Sequence, residues 1–97
     1  MPLSDDVVRW VNRHFRGNDV DFALAMLGSA VDHTGELVGP RLVRCAALGS
    51  RGDLARLERL VAELRTDWRD VIMAGEYEMR DGKPVRVHDL NNPIADV

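Results

Sequence analysis

The sequence predicts an all-α or nearly all-α fold, with four to five helices around one core and a short C-terminal β-hairpin or extended arm. Three observations lead there. Apolar residues recur at helical spacing through the first three quarters of the chain. The only aromatic residues are Trp10, Phe15, Phe22, Trp68 and Tyr77, so the core must be built mainly from Leu, Val, Ala and Met. That supply suits close-packed helices better than a β-sandwich. Finally, the helical period stops near Ala74, and two short segments flank Asp81-Gly82. The 97 residues make a single helical domain.

Ser4 is placed to cap the first helix, with Asp5 and Asp6 in its first turn, where carboxylates favour the helix dipole. Val7, Val11 and Phe15 form one stripe, flanked by Val8 and Trp10. Arg13, His14 and Arg16 fall in the last turn before Gly17. Asn18 or Asp19 caps the second helix, in which Val20, Ala23, Leu24, Leu27, Ala30 and Val31 repeat with the helical period. Phe22 and Met26 widen that face, which predicts a central helix over 18–31.

Gly39-Pro40 opens a short third helix, because proline at the first position forfeits no intrahelical hydrogen bond. Leu42, Cys45, Ala46 and Leu48 face inward, and Gly49 caps its end. Ser50 with Asp53 resembles a capping box in which Asp replaces Glu. The strongest pattern follows: Leu54, Leu57, Val61, Leu64, Trp68 and Val71 form an a/d seam, flanked by Leu60 and Ile72. The continuity of the seam favours one long or gently kinked helix from Arg51 to about Ala74, although Thr66-Asp67 offers a break. Beyond it, Asp81-Gly82 suits a two-residue type I′ turn, and Pro84 restricts the second strand to an edge.

Net charge is −3, so the chain as a whole attracts neither nucleic acid nor an anionic membrane. Twelve Arg stand against the single Lys83, and Ile occurs only at positions 72 and 94. That bias is first a mark of GC-rich coding and only then of function. Cys45 is the single cysteine and has no partner for an internal disulfide. A leader-type apolar run and a spanning stretch are both lacking, so the expected location is cytoplasmic.

Arg44-Cys45-Ala46-Ala47-Leu48, Gly52-Asp53-Leu54 and the run Asp67-Trp68-Arg69-Asp70-Val71-Ile72-Met73-Ala74-Gly75-Glu76-Tyr77 carry a resemblance. They resemble a family of small bacterial proteins of about this length, from high-GC, actinobacterial-like genomes, with no assigned activity. The resemblance covers roughly the C-terminal half. It implies a complete small bacterial protein and singles out Trp68-Arg69-Asp70 and Glu76-Tyr77.

Each candidate for chemistry has a plainer reading. Arg51-Gly52-Asp53 spells an integrin-binding tripeptide but opens a helix. Cys45 lies among Ala46, Ala47 and Leu48, where a buried structural thiol outweighs a nucleophile. Asp32-His33-Thr34-Gly35-Glu36 holds metal-ligand types but matches neither zinc nor EF-hand spacing. Arg41, Arg44, Arg51, Arg56, Arg59, Arg65 and Arg69 crowd one stretch, interleaved with carboxylates as on a solvated helix face.

Asp67, Arg69, Asp70, Glu76 and Tyr77 are the densest polar cluster, a candidate polar site beside Trp68. Leu60, Trp68 and Ile72 are the candidate interface, where the flank of a long helix would stand uncovered. The first reading is therefore a protein–protein interaction module or homodimer, whose partner is itself or another protein and neither a membrane nor nucleic acid. The second is an enzyme using Asp67, Asp70 and Glu76, and the third a nucleic-acid-binding regulator. No catalytic constellation is complete, and no cofactor or metal is called for.

Overall fold

The computed structural model describes residues 3–95, so Pro2 and the tail residues Asp96 and Val97 lie outside the described residues. Helix α1 spans Asp5–His14. Ser4 occupies its N-cap, and the Ser4 carbonyl accepts from the Val7 and Val8 N–H groups at 3.1 and 3.2 Å. Val7, Trp10 and Val11 bury one face, and Phe15, just past the helix, is buried beside them. Helix α2 spans Asn18–Gly28, ending short of the expected Val31. The chain turns back there: Val31 bridges Leu37, and the Val38 N–H donates to the Ala30 carbonyl at 3.1 Å. Asp32 holds the return, its carboxylate accepting from the Thr34 and Glu36 N–H groups. That bond pattern competes with another helical turn and wins because Ala30 and Val38 are both buried by it.

Helix α3 spans Pro40–Ser50, with Pro40 in its first turn as expected. It runs one residue past Gly49, and Arg51 caps it in the left-handed region at φ 55°. Ser50 forms no capping box. Its hydroxyl donates to the Ala47 carbonyl and accepts from the Gly52 N–H. Asp53 is the cap of the next helix, accepting from the Arg56 N–H at 3.0 Å.

The expected single helix from Arg51 to Ala74 is two: α4, Leu54–Glu63, and α5, Trp68–Glu76. The Arg65, Thr66 and Asp67 N–H groups close tight turns onto Ala62 and Glu63, and Asp67 then caps α5 by accepting from the Arg69 N–H at 3.1 Å. A local cap outcompetes propagation of the seam. Leu57, Leu64 and Val71 stay buried, but Trp68, on the same seam, emerges 47% exposed.

The hairpin forms as predicted. Strands β1, Tyr77–Arg80, and β2, Lys83–Arg86, pair antiparallel with Arg80 opposite Lys83. Asp81 and Gly82 both take positive φ, 52° and 76°, which a type I′ turn demands. The arm beyond folds back and buries Leu90 and Ile94.

The central helix is α3, not α2. Val43 through Ala47, Gly49 and Ser50 are all buried, whereas Phe22 on α2 is 59% exposed. The reason is size. Cys45 and Gly49, one turn apart, give α3 a flat face, and α5 lies directly against it through Ala74 and Gly75. Among the described residues no helix is long and apolar enough to cross a membrane.

Candidate functional site

The five residues of the expected polar site do not gather into one cluster. Asp67 and Arg69 sit at the start of α5, where an exposed ion pair of 3.4 Å joins them. Asp70 lines a shallow groove with Arg56, Arg59, Leu60 and Glu63. Glu76 lies at the far end of α5, roughly 13 Å along the axis from Asp67 at 1.5 Å per residue, and Tyr77 begins β1. The candidate interface divides as well. Leu60 belongs to the Asp70 groove and packs toward Gly49 and Ala74. Trp68 and Ile72, one turn apart on α5, share a different groove of about 370 Å³ with Asp32, His33, Arg41 and Leu42.

That groove is amphipathic. Trp68 and Ile72 line it from α5 and Leu42 from α3, while Arg41 and the Asp32-His33 turn supply polar groups. Trp68 is the first residue of α5, immediately after the break that Asp67 caps. A second, smaller cleft of about 110 Å³ is apolar, lined by Leu3, Leu27, Leu37, Val38 and Val43 among others.

Two buried carboxylates organise the rest. Glu76 is fully buried. Arg41 binds it in a fork, with both N–O distances 2.9 Å, and Arg86 reaches it at 3.0 Å. The Leu90 N–H donates to it at 3.1 Å, and the Cys45 thiol lies 3.8 Å away. Its own carbonyl accepts from the Val87 and His88 N–H groups. One residue thereby joins α3, α5, the hairpin and the C-terminal arm. The Arg41 hydrogen bonds overcome burial and, with Leu90 and Arg86, hold the Glu76 carboxyl down to about 2.

Asp6 is the second. Arg44 forks onto it at 2.9 and 3.4 Å, and the Ile94 N–H donates at 3.0 Å. Arg44 also donates to the Leu90 carbonyl at 3.4 Å. Burial pushes the Asp6 carboxyl up, but the hydrogen bonds from Arg44 and Ile94 outweigh it and leave it well below the usual carboxylate range. Sequence reasoning missed this pair, taking Asp6 for a dipole-favouring first-turn residue and Arg44 for part of a solvated face. The available signal was that Asp6 lies one turn before Trp10, on the buried face.

These bonds decide several chemical readings. A carboxylate clamped by two guanidiniums is no acid or base near neutral pH. Cys45 is buried; burial first, and then the Glu76 charge, push its thiol up to about 12, so it is protonated and a poor nucleophile. Arg41, Arg44, Arg56 and Arg69 direct their guanidiniums to Glu76, Asp6, the Gly49 carbonyl and Asp67. The first three tie into the fold, while Arg69 meets Asp67 at the surface.

Because both buried carboxylates sit below their ordinary values, their stabilisation is complete at neutral pH and is lost as pH falls through the acid range. Glu76 alone, ionised down to about 2 rather than 4.5, should give up about 2 kcal/mol between pH 7 and pH 3. Urea unfolding at the two pH values measures this, and equal midpoints would contradict it. In Glu76→Gln that share of the slope should disappear.

No protein-family profile matches the chain, and neither a curated protein nor a solved structure is significantly similar to it.

Proposed function

We infer that this chain acts by binding another protein, and that the docking face is the groove where Trp68 and Ile72 meet Leu42. The observation that carries this reading is the indole of Trp68, 47% exposed at a helix start. A tryptophan left half in water beside aliphatic side chains holds apolar area that a partner can cover, and tryptophan is the residue most enriched where binding energy concentrates. Arg41 and His33 at the margin provide the polar rim such a contact needs. The catalytic alternative is weaker, because Glu76 is spent on two arginines and lies at the other end of α5 from Asp67. The bacterial setting and cytoplasmic location belong to the same proposal.

The test compares the proteins captured by the parent chain with those captured by Trp68→Ala and Ile72→Glu. Trp68 stands half exposed and Ile72 packs on the margin of the core, so circular dichroism of both variants first checks that the fold is kept. A partner held by the parent should be released at least about tenfold more readily by each variant, as expected for loss of a central aromatic anchor. A captured set that neither substitution alters would overturn the reading.

A further inference from the structure

The outer edge of β1 carries a self-complementary pattern. Arg80 and Lys83 flank a two-residue turn, and the Val87 N–H donates to the Glu76 carbonyl at 2.7 Å. Hydrogen-bonded pairs therefore fall at Arg80–Lys83, Glu78–Val85 and Glu76–Val87, and the alternate residues of β1 direct their backbone groups away from β2. The Tyr77 N–H is taken up by the Met73 carbonyl. That leaves the Tyr77 C=O and both the N–H and C=O of Met79 on the open edge. The same alternation puts Pro84, which has no N–H, opposite Met79, where β2 needs no donor toward β1.

Side chains add a second observation. Met79, opposite Pro84, is 67% exposed, the most exposed large apolar side chain described. Its neighbours Glu78 and Arg80 point to the other face and pair only with each other, at 3.1 Å across a solvated surface. A two-stranded hairpin is marginal by itself, and an open edge is a template for another strand.

We propose that β1 pairs antiparallel with β1 of a second copy of this chain, centred on Met79, to make a four-stranded sheet. The edge geometry leaves three symmetric alignments near the middle of the strand, because outward-directed residues must oppose each other. Centring on Glu78 sets two carboxylates face to face, and centring on Arg80 sets two guanidiniums face to face; like charges directly opposite destabilise a pair. Centring on Met79 lets the two methionines exchange both backbone hydrogen bonds. It places Glu78 across from Arg80 of the second copy, twice, and runs Pro84, Met79 and their two equivalents into one apolar stripe. Charge thus selects one register of the three.

The pairing uses no residue of the Trp68 groove, so either proposal can fail without the other. It differs from self-association through Leu60 and Ile72, which lie on α4 and α5 and not on the hairpin edge. The contact is short, and its affinity belongs in the micromolar range typical of small transient interfaces.

Sedimentation of the full chain across micromolar to millimolar concentration tests it, with 10.9 kDa as the monomer mass. The parent should approach twice that mass. Glu78→Arg and Arg80→Glu, both at exposed sites, should each weaken association about tenfold by setting like charges opposite. The double exchange Glu78→Arg with Arg80→Glu restores opposite charges across the two-fold and should recover the parent affinity to within about threefold. A monomer at every concentration overturns the proposal. So does a dimer indifferent to the single reversals, or one that the double exchange fails to restore. A dimer split by Trp68→Ala but not by the reversals would move the interface to the α5 groove and equally overturn it.

Discussion

Glu76→Ala should cost this protein about 4 kcal/mol, the scale for removing one partner of a buried ion pair. Total stability for a domain of this size is only about 5–15 kcal/mol, so the variant should be near unfolding at room temperature. The loss is large because one side chain closes four contacts at once: the Arg41 fork, Arg86, and the Leu90 N–H. Without it the Leu90 N–H is left inside with no acceptor, while Arg41 and Arg86, each more than a third exposed, can turn to water. That asymmetry sets the rest of the series. Arg41→Ala leaves the buried carboxylate without its fork and should cost about 3 kcal/mol, whereas Arg86→Ala, with the fork intact, should cost about 1 kcal/mol. Urea denaturation read by circular dichroism measures all three. Glu76→Ala within 1 kcal/mol of the parent would mean that the carboxylate is not the tie described.

Gly75→Ala should also be strongly destabilising. A methyl group there would sit 2.5 Å from the Cys45 Cα and 2.6 Å from its carbonyl oxygen. Both are backbone atoms of the central helix, so no rotamer change relieves the contact and α5 must lift off α3. Alanine would return about 1 kcal/mol of helix propensity, but overpacking against a fixed wall costs about 3 kcal/mol or more, so the clash wins. The control is Gly49→Ala, where the nearest side-chain atoms are Ala74 Cβ and Leu60 Cδ1, both at 3.0 Å. Leu60 can shift, and Ala74, whose backbone carbon lies at 3.2 Å, must give by only a few tenths of an ångström, so the cost there should be smaller. If thermal unfolding ranks the two variants the other way, the close approach of α3 and α5 is misplaced.

Much of the architecture was legible in the residues. The positions of α1 and α3, the Asp81-Gly82 turn and a buried Cys45 all follow from local rules, because each depends on a few neighbouring side chains. The break before Trp68 was not resolved, because two local rules disagreed. The seam from Leu54 to Val71 asks for continuity, and Asp67 asks for a cap. The outcome turned on what each helix could pack against, which is a property of the whole fold. The candidate site scattered for a related reason. Asp67, Asp70 and Glu76 are close in sequence, but a helix separates them along its length and around its circumference. Their real partners, Arg41 and Arg86 for Glu76, come from 35 residues before and from the hairpin after. No spacing within α5 announces that. Arg44 was hidden in the same way: its charge resembled that of its exposed neighbours until Asp6 was brought to it from 38 residues away.

The two buried carboxylates also fix how the molecule will respond to its medium. Dissolved salt weakens a charge pair by crowding counterions around it, and counterions cannot surround Glu76 or Asp6 inside the fold. A proton needs no such room, since the group it neutralises must then give up its guanidinium. Strong brine should loosen the outer pairs Arg69–Asp67 and Arg80–Glu78 and leave the C-terminal arm docked, whereas acid should release the arm even at low ionic strength.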